Sequence, residues 1–112
     1  MLRTKVQRKN LCHSCPFAKT ANLLGDSIIL FILKELVGSE KSFSEIEKSL
    51  HSVSSRTVTE KLKFLEENLM ILRREVSGKP TRVYYSLTQK AKPFKKVASA
   101  LTSFGDEFFQ HP

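Results

Sequence analysis

A chain of 112 residues is long enough to close one hydrophobic core and too short to carry a second domain of ordinary size. Its composition, 40% hydrophobic and 27% charged, excludes a disordered tail, and the longest apolar run, Ile28 to Leu33, is too short to cross a bilayer. Nineteen Lys and Arg against eleven Asp and Glu leave a formal charge of +8, which favours a polyanionic partner through counterion release.

Met1 to Asn10 is basic with no apolar region behind it, so no signal peptide is readable and a cytoplasmic location without a membrane partner is expected. Pro16 suits the first turn of a short helix that carries Phe17, Ala21 and Leu24 on one face and ends at Gly25. Asp26 caps a second helix, apolar nearly all round from Ile28 to Leu33 and continuing through Leu36 and Val37 to Gly38; it is expected to be central and buried. Ser44 with Glu47 three residues on is a capping-box pattern, opening a third helix with Ile46 and Leu50 inward. After the turn His51-Ser52-Val53, Ser54 or Ser55 caps a longer helix whose inward stripe is Val58, Leu62 and Leu65, extended to Leu69. The opposite face of that helix carries Arg56, Thr59 and Lys63, with Ser55, Thr57 and Glu60 beside them.

Met70 to Val76 and Arg82 to Leu87 read as two strands, with Val83, Tyr85 and Leu87 alternating against Arg82, Tyr84 and Ser86, joined by the basic tip Ser77-Gly78-Lys79-Pro80-Thr81. Thr88 caps the segment after the second strand. From Phe94 onward, Val97, Ala98, Leu101, Phe104, Phe108 and Phe109 form a long apolar stripe on a last helix, which Pro93 either kinks or forces to restart.

This order predicts a mainly α fold with a β-hairpin wing, a winged helix-turn-helix in a single domain over residues 1–112. Residues 1–24 make the N-terminal arm and helix, 44–68 the helix-turn-helix, 70–87 the wing and 88–112 a C-terminal dimerisation helix. The second helix of such a pair enters the major groove, where short hydroxyl and long basic side chains reach base edges and phosphates. Ser55, Arg56, Thr57, Thr59, Glu60 and Lys63 are therefore the candidate DNA-binding residues, joined by Lys79 and Arg82 on the wing. Glu40, Glu45 and Glu47 are expected to face away from the DNA; Arg73 and Arg74 serve the wing strand or pair with Glu75 or Glu67. The expected function is sequence-specific DNA binding, with double-stranded DNA as the partner. The alternative is a winged-helix module whose basic face takes an acidic protein or RNA. No enzyme and no cofactor are expected: His13, His51 and His111 are scattered, and no Gly-rich phosphate loop or carboxylate pair is present.

From Cys15 to Phe108 the chain resembles the HxlR-type winged helix-turn-helix regulators. The resemblance rests on Cys15-Pro16, Leu24-Gly25-Asp26, Phe43-Ser44-Glu45-Ile46, Ser54 leading into Leu62 and Leu65-Glu66-Glu67, and most specifically on Arg82-Val83-Tyr84-Tyr85-Ser86-Leu87-Thr88. It implies a dimer built by the first and last helices, which puts Phe17, Ala21, Val97, Leu101, Phe104 and Phe108 at the interface. It also implies DNA binding at paired half-sites and control of neighbouring genes, often in response to electrophiles or oxidants, so that the expected function becomes a transcription regulator, a repressor binding a palindromic operator as a homodimer. The chain departs from the pattern at Ser27-Ile28, where Lys-Trp is usual, at Leu69, where a helix-ending Gly is common, and in a shorter wing.

Cys12 and Cys15 are open to three readings. Cys15 precedes Pro16 at a helix start, where partial positive charge favours a thiolate, with Lys19 and His13 close in sequence. The resemblance implies that Cys15 is the sensing residue, and a Cys-x-x-Cys spacing lets Cys12 act as its resolving partner. The second reading is two ordinary reduced thiols. The third is zinc, for which the pair supplies only two of four ligands; no metal site is assigned.

Overall fold

The computed structural model describes residues 15–110. Helix α1 spans Pro16–Leu24, with Pro16 in the first turn, where its missing N–H leaves no helical bond unmade. It ends at Gly25 through close approach: a Cβ there would stand 2.5 Å from the Ala21 carbonyl oxygen. The chain then turns through 88° into α2, Ser27–Glu35. Asp26 caps α2, its Oδ1 accepting from the N–H of Ile28 at 2.8 Å and of Ile29 at 3.1 Å. Ile29, Ile32, Leu33 and Leu36 are buried at the centre of the core, as expected for a nearly all-apolar helix. One residue departs from that expectation: Phe31 is 54% exposed, at the edge of an open groove between α2 and the C-terminal helix.

A two-residue strand, β1 (Lys41–Ser42), precedes α3, Phe43–Ser49. The capping box is formed by Ser42 and Glu45, not by Ser44 and Glu47. Ser42 Oγ accepts from the Glu45 N–H at 3.1 Å while Glu45 Oε1 accepts from the Ser42 N–H at 2.9 Å. Two Ser-x-x-Glu spacings overlap here, and sheet pairing decides between them. Ser42 pairs with Tyr84 and so has the extended backbone of an N-cap, whereas Ser44 is already helical. The helix-turn-helix therefore begins just before residue 44.

Helix α4, Ser55–Glu67, is capped by Ser54, whose Oγ accepts from the Thr57 N–H at 3.1 Å. Val58, Leu62 and Leu65 point into the core. The inward stripe stops there. Leu69 lies beyond the helix end, 63% exposed, in the left-handed region at φ 60°. Its N–H donates to the Glu66 carbonyl, and the Met70 N–H donates to the Leu65 carbonyl. This is the helix-ending arrangement that favours glycine, made here with a leucine.

Strands β2 (Ile71–Val76) and β3 (Arg82–Leu87) form the hairpin, and β1 adds to its far side to give the order β1-β3-β2. Ile71 and Tyr85 are buried on the core face, with Val83 and Leu87 packed against the same cluster. Thr88 caps a single 3-10 turn, Gln89–Ala91, and helix α5 runs from Phe94 to Gln110. Pro93 thus forces a restart, not a kink. Phe94 is buried and anchors α5, Val97 and Ala98 pack against the same core, and beyond them the helix leaves it. Among the described residues no single helix is long and apolar enough to cross a membrane.

Candidate nucleic-acid interface

At 100° per residue, Arg56, Thr59, Glu60 and Lys63 fall on one side of α4, opposite Val58, Leu62 and Leu65. All four are exposed, whereas the opposing three are fully buried. The core holds α4 by its apolar side and presents the charged side outward. A second tie fixes its position: Lys61 Nζ donates to Asp26 Oδ2 at 2.7 Å, linking α4 to the cap of α2. The Lys61 ammonium holds the Asp26 carboxyl below the usual carboxylate range, and the Ile29 and Ile28 N–H groups act the same way.

Within the outward face the side chains are partly engaged with one another. Arg56 Nε donates to Glu60 Oε1 at 3.1 Å. Ser54 Oγ donates to Thr57 Oγ1 at 3.0 Å, so half-buried Thr57 belongs to the cap as much as to the surface. Ser55 Oγ donates to Glu47 Oε2. Acidic side chains of the preceding segment are engaged in the same way. Glu47 lies against the start of α4, and Glu40 pairs with Arg74, because the turn between α3 and α4 and the β1 pairing fold that segment back onto both elements. Glu45 is occupied by its cap, and the Ser42 N–H holds its carboxyl below the usual range.

The wing stands beside α3. A cleft of about 620 Å³ separates them, lined by Ser42 to Glu45 on one side and by Arg73 and Pro80 to Tyr85 on the other. Lys79 and Arg82 are exposed at and beside the hairpin tip, and like Lys63 they enter no ion pair among the described residues. Arg73 pairs with Glu75 on its own strand at 3.1 Å, as its alternative reading expected; the partner of Arg74 is Glu40, neither Glu75 nor Glu67.

The terminal helices carry the other residues assigned from sequence. Phe17 is 82% exposed and Ala21 is exposed on α1; Val97 is half-buried, and Leu101, Phe104 and Phe108 are exposed on α5. Cys15 is half-buried at the N-cap of α1, and its thiol makes no capping hydrogen bond. Cys12 and His13 lie outside the described residues, as does His111. Among the described residues no three side chains of His, Cys, Asp or Glu gather in a metal-binding group. Sequence reading missed β1, the Lys61–Asp26 tie and the Glu40–Arg74 pair. A two-residue strand has no periodicity, and pairs 34 or 35 residues apart leave no local signal.

The sequence profile of the HxlR-like helix-turn-helix family matches residues 23–112. The HTH-type transcriptional regulator YvaP of Bacillus subtilis is 31% identical over 100 residues, which cover 88% of this chain and 93% of that protein. The reduced form of the transcriptional regulator YodB from B. subtilis superposes with a TM-score of 0.71 at 30% identity, over 84% of this chain and 93% of that one. A MarR-family regulator from Porphyromonas gingivalis superposes with a TM-score of 0.81 over 86% of this chain and 94% of the other, at 23% identity, a likeness of fold alone. The chain belongs to the HxlR-like helix-turn-helix family of DNA-binding transcription regulators, built on a winged-helix fold.

Proposed function

We propose that the chain binds duplex DNA as a homodimer, with Arg56 and Thr59 at base edges and Lys63, Lys79 and Arg82 on phosphates. The observation that carries this reading is the division of α4: its buried stripe fixes the helix, and the exposed face opposite it holds the long basic and hydroxyl side chains. Arg56 and Thr59 lie toward the amino end of α4, the part of a recognition helix that contacts base edges. Ser55 and Thr57 complete the surface at the helix start, and Glu60 sets the direction of Arg56 through their ion pair. Phe17, Ala21, Val97, Leu101, Phe104 and Phe108 form the interface between copies. Two-fold symmetry then spaces the reading helices about 34 Å apart on a palindromic site.

Selection of duplexes from a random pool tests the DNA reading. Sequences with an inverted repeat are expected. On such a duplex Arg56→Ala should cost about 1–3 kcal/mol and relax base preference, while Lys79→Ala should weaken selected and random duplexes alike and flatten the salt slope by about one. Equal losses for Arg56→Ala on both duplexes, or no preference for duplex DNA over RNA, reject the assignment.

Cys15 supplies the regulation in this reading. Oxidation or adduct formation at the cap of α1 shifts a helix of the dimer interface and mismatches the half-site spacing. The relative YodB has a structure in its reduced form, which supports a redox reading of Cys15. Mild oxidant should lower the DNA affinity of the wild type and leave Cys15→Ser unchanged; an equal response in both sinks the role.

A further inference from the structure

On the sheet face turned away from the core, Ser42, Tyr84 and Arg74 stand side by side in register across all three strands. The Arg74 guanidinium lies 4.8 Å from the centre of the Tyr84 ring. Beyond the ring it meets Glu40, donating from Nε to Oε2 at 3.0 Å and from Nη2 to Oε1 at 2.7 Å. Glu40 directly precedes β1, and two residues later Ser42 caps α3. A two-pronged ion pair therefore runs from the outer strand of the wing, over β3, to the point where the helix-turn-helix begins.

An isolated surface ion pair contributes little. This one has the geometry that makes such pairs stronger, a bidentate fork held against an aromatic face. Its position also matters, because β2 is an edge strand held to the sheet only by β3. Arg73, the neighbouring arginine, pairs with Glu75 on its own strand and, among the described residues, forms no ion pair outside the wing.

We propose that the Glu40–Arg74–Tyr84 clamp sets the angle of the wing on the helix-turn-helix, making Arg74 and Glu40 positioning residues for DNA binding and not contacts to DNA. An arginine on a wing strand would ordinarily be taken for a phosphate contact, but here two donors of its fork are committed to a carboxylate. With the clamp closed, Lys79 and Arg82 are held ready for the duplex; with it open, their ordering is deferred to binding. This inference rests on the DNA reading proposed for α4 and the wing.

The test uses the full chain and a duplex selected from a random pool by the wild type. Glu40→Gln, Arg74→Met and Arg74→Lys should each weaken binding roughly three- to tenfold. The double variant Glu40→Gln, Arg74→Met should be no weaker than either single. In a Lys79→Ala, Arg82→Ala background, assayed at lower salt, the same changes should have no further effect, because the wing contacts they serve are gone. A phosphate-contact role demands the opposite sign at Glu40: removing a negative charge beside such a contact would tighten binding, and Arg74→Lys would restore it. Either result overturns the proposal. So does a lowered melting temperature with unchanged DNA affinity, which marks the clamp as structural only. Should an Arg74 variant fail to fold, the sign of the near-isosteric Glu40→Gln change still decides. If the wild type selects no duplex, the DNA reading falls and the clamp's role falls with it.

Discussion

Helices α4 and α5 carry apolar stripes of the same kind with opposite fates. In α4 the stripe Val58, Leu62, Leu65 is fully buried; in α5 the stripe begins at buried Phe94 and runs out through Leu101, Phe104 and Phe108, which are 49, 65 and 60% exposed. Phe104 stacks on Phe108 at 5.6 Å between ring centres, and Phe109 meets Phe108 edge-on at 5.0 Å, so these rings cover one another in part but rest on no core. The contrast teaches that helical spacing marks where a surface is to be covered without saying by what. The helix-turn-helix and sheet are complete within one chain, whereas α1 and the outer turns of α5 present apolar surface of the kind that marks interaction sites.

The sharpest way to break this comparison is to truncate each stripe. In a protein kept monomeric, Leu62→Ala should lose about 2–5 kcal/mol of stability by urea unfolding, since it leaves a cavity among fully buried neighbours. Phe108→Ala in the same background should lose only a few tenths. Comparable losses at the two sites would mean that α5 is part of the core after all.

A middle-sized effect is expected at Asp26, which caps α2 and holds Lys61 of α4. Asp26→Ala should cost about 1–2 kcal/mol, mostly the cap. The charge also gives a pH dependence. The carboxyls of Asp26, Glu40 and Glu45 all titrate below their ordinary values in the folded chain, so the unfolded chain takes up protons first as pH falls. Their contribution is present in full above the ordinary carboxylate range and is lost as the pH falls below about 4. The urea midpoint should therefore drop between pH 5 and 3. Asp26→Asn, which keeps a capping side chain, should show a shallower drop; an identical one would show that the Lys61 tie does not contribute.

The smallest change concerns Leu69 at the end of α4. Its left-handed backbone disfavours any side chain with a Cβ, and its exposed side chain contributes little burial. Leu69→Gly should raise stability by about 0.5–1 kcal/mol after allowing for the freedom glycine adds to the unfolded chain. A loss of stability would show that Leu69 makes a contact worth more than the strain.

Much of this fold was legible because local signals agree. Asp26 and Ser54 cap helices whose apolar spacing follows at once, and the strand Arg82 to Leu87 alternates without interruption. The failures share a cause. Between Ser42 and Ser44 the local pattern is ambiguous, and only pairing with β3, some forty residues away, selects one. Leu69 fits the helical stripe by spacing alone, but the chain has already turned at Asn68. The candidate DNA surface was legible as a face of α4, because spacing fixes a face. Its partners were not: Glu47 on Ser55 and Glu40 on Arg74 depend on how elements fold back.

The claim that the terminal helices are left open for a second copy is tested most directly by sedimentation velocity at micromolar concentration. The wild type should sediment as a dimer, and a variant carrying Leu101→Glu and Phe104→Glu as a monomer with unchanged helical circular dichroism. A monomeric wild type, or a double variant that remains a dimer, contradicts the account.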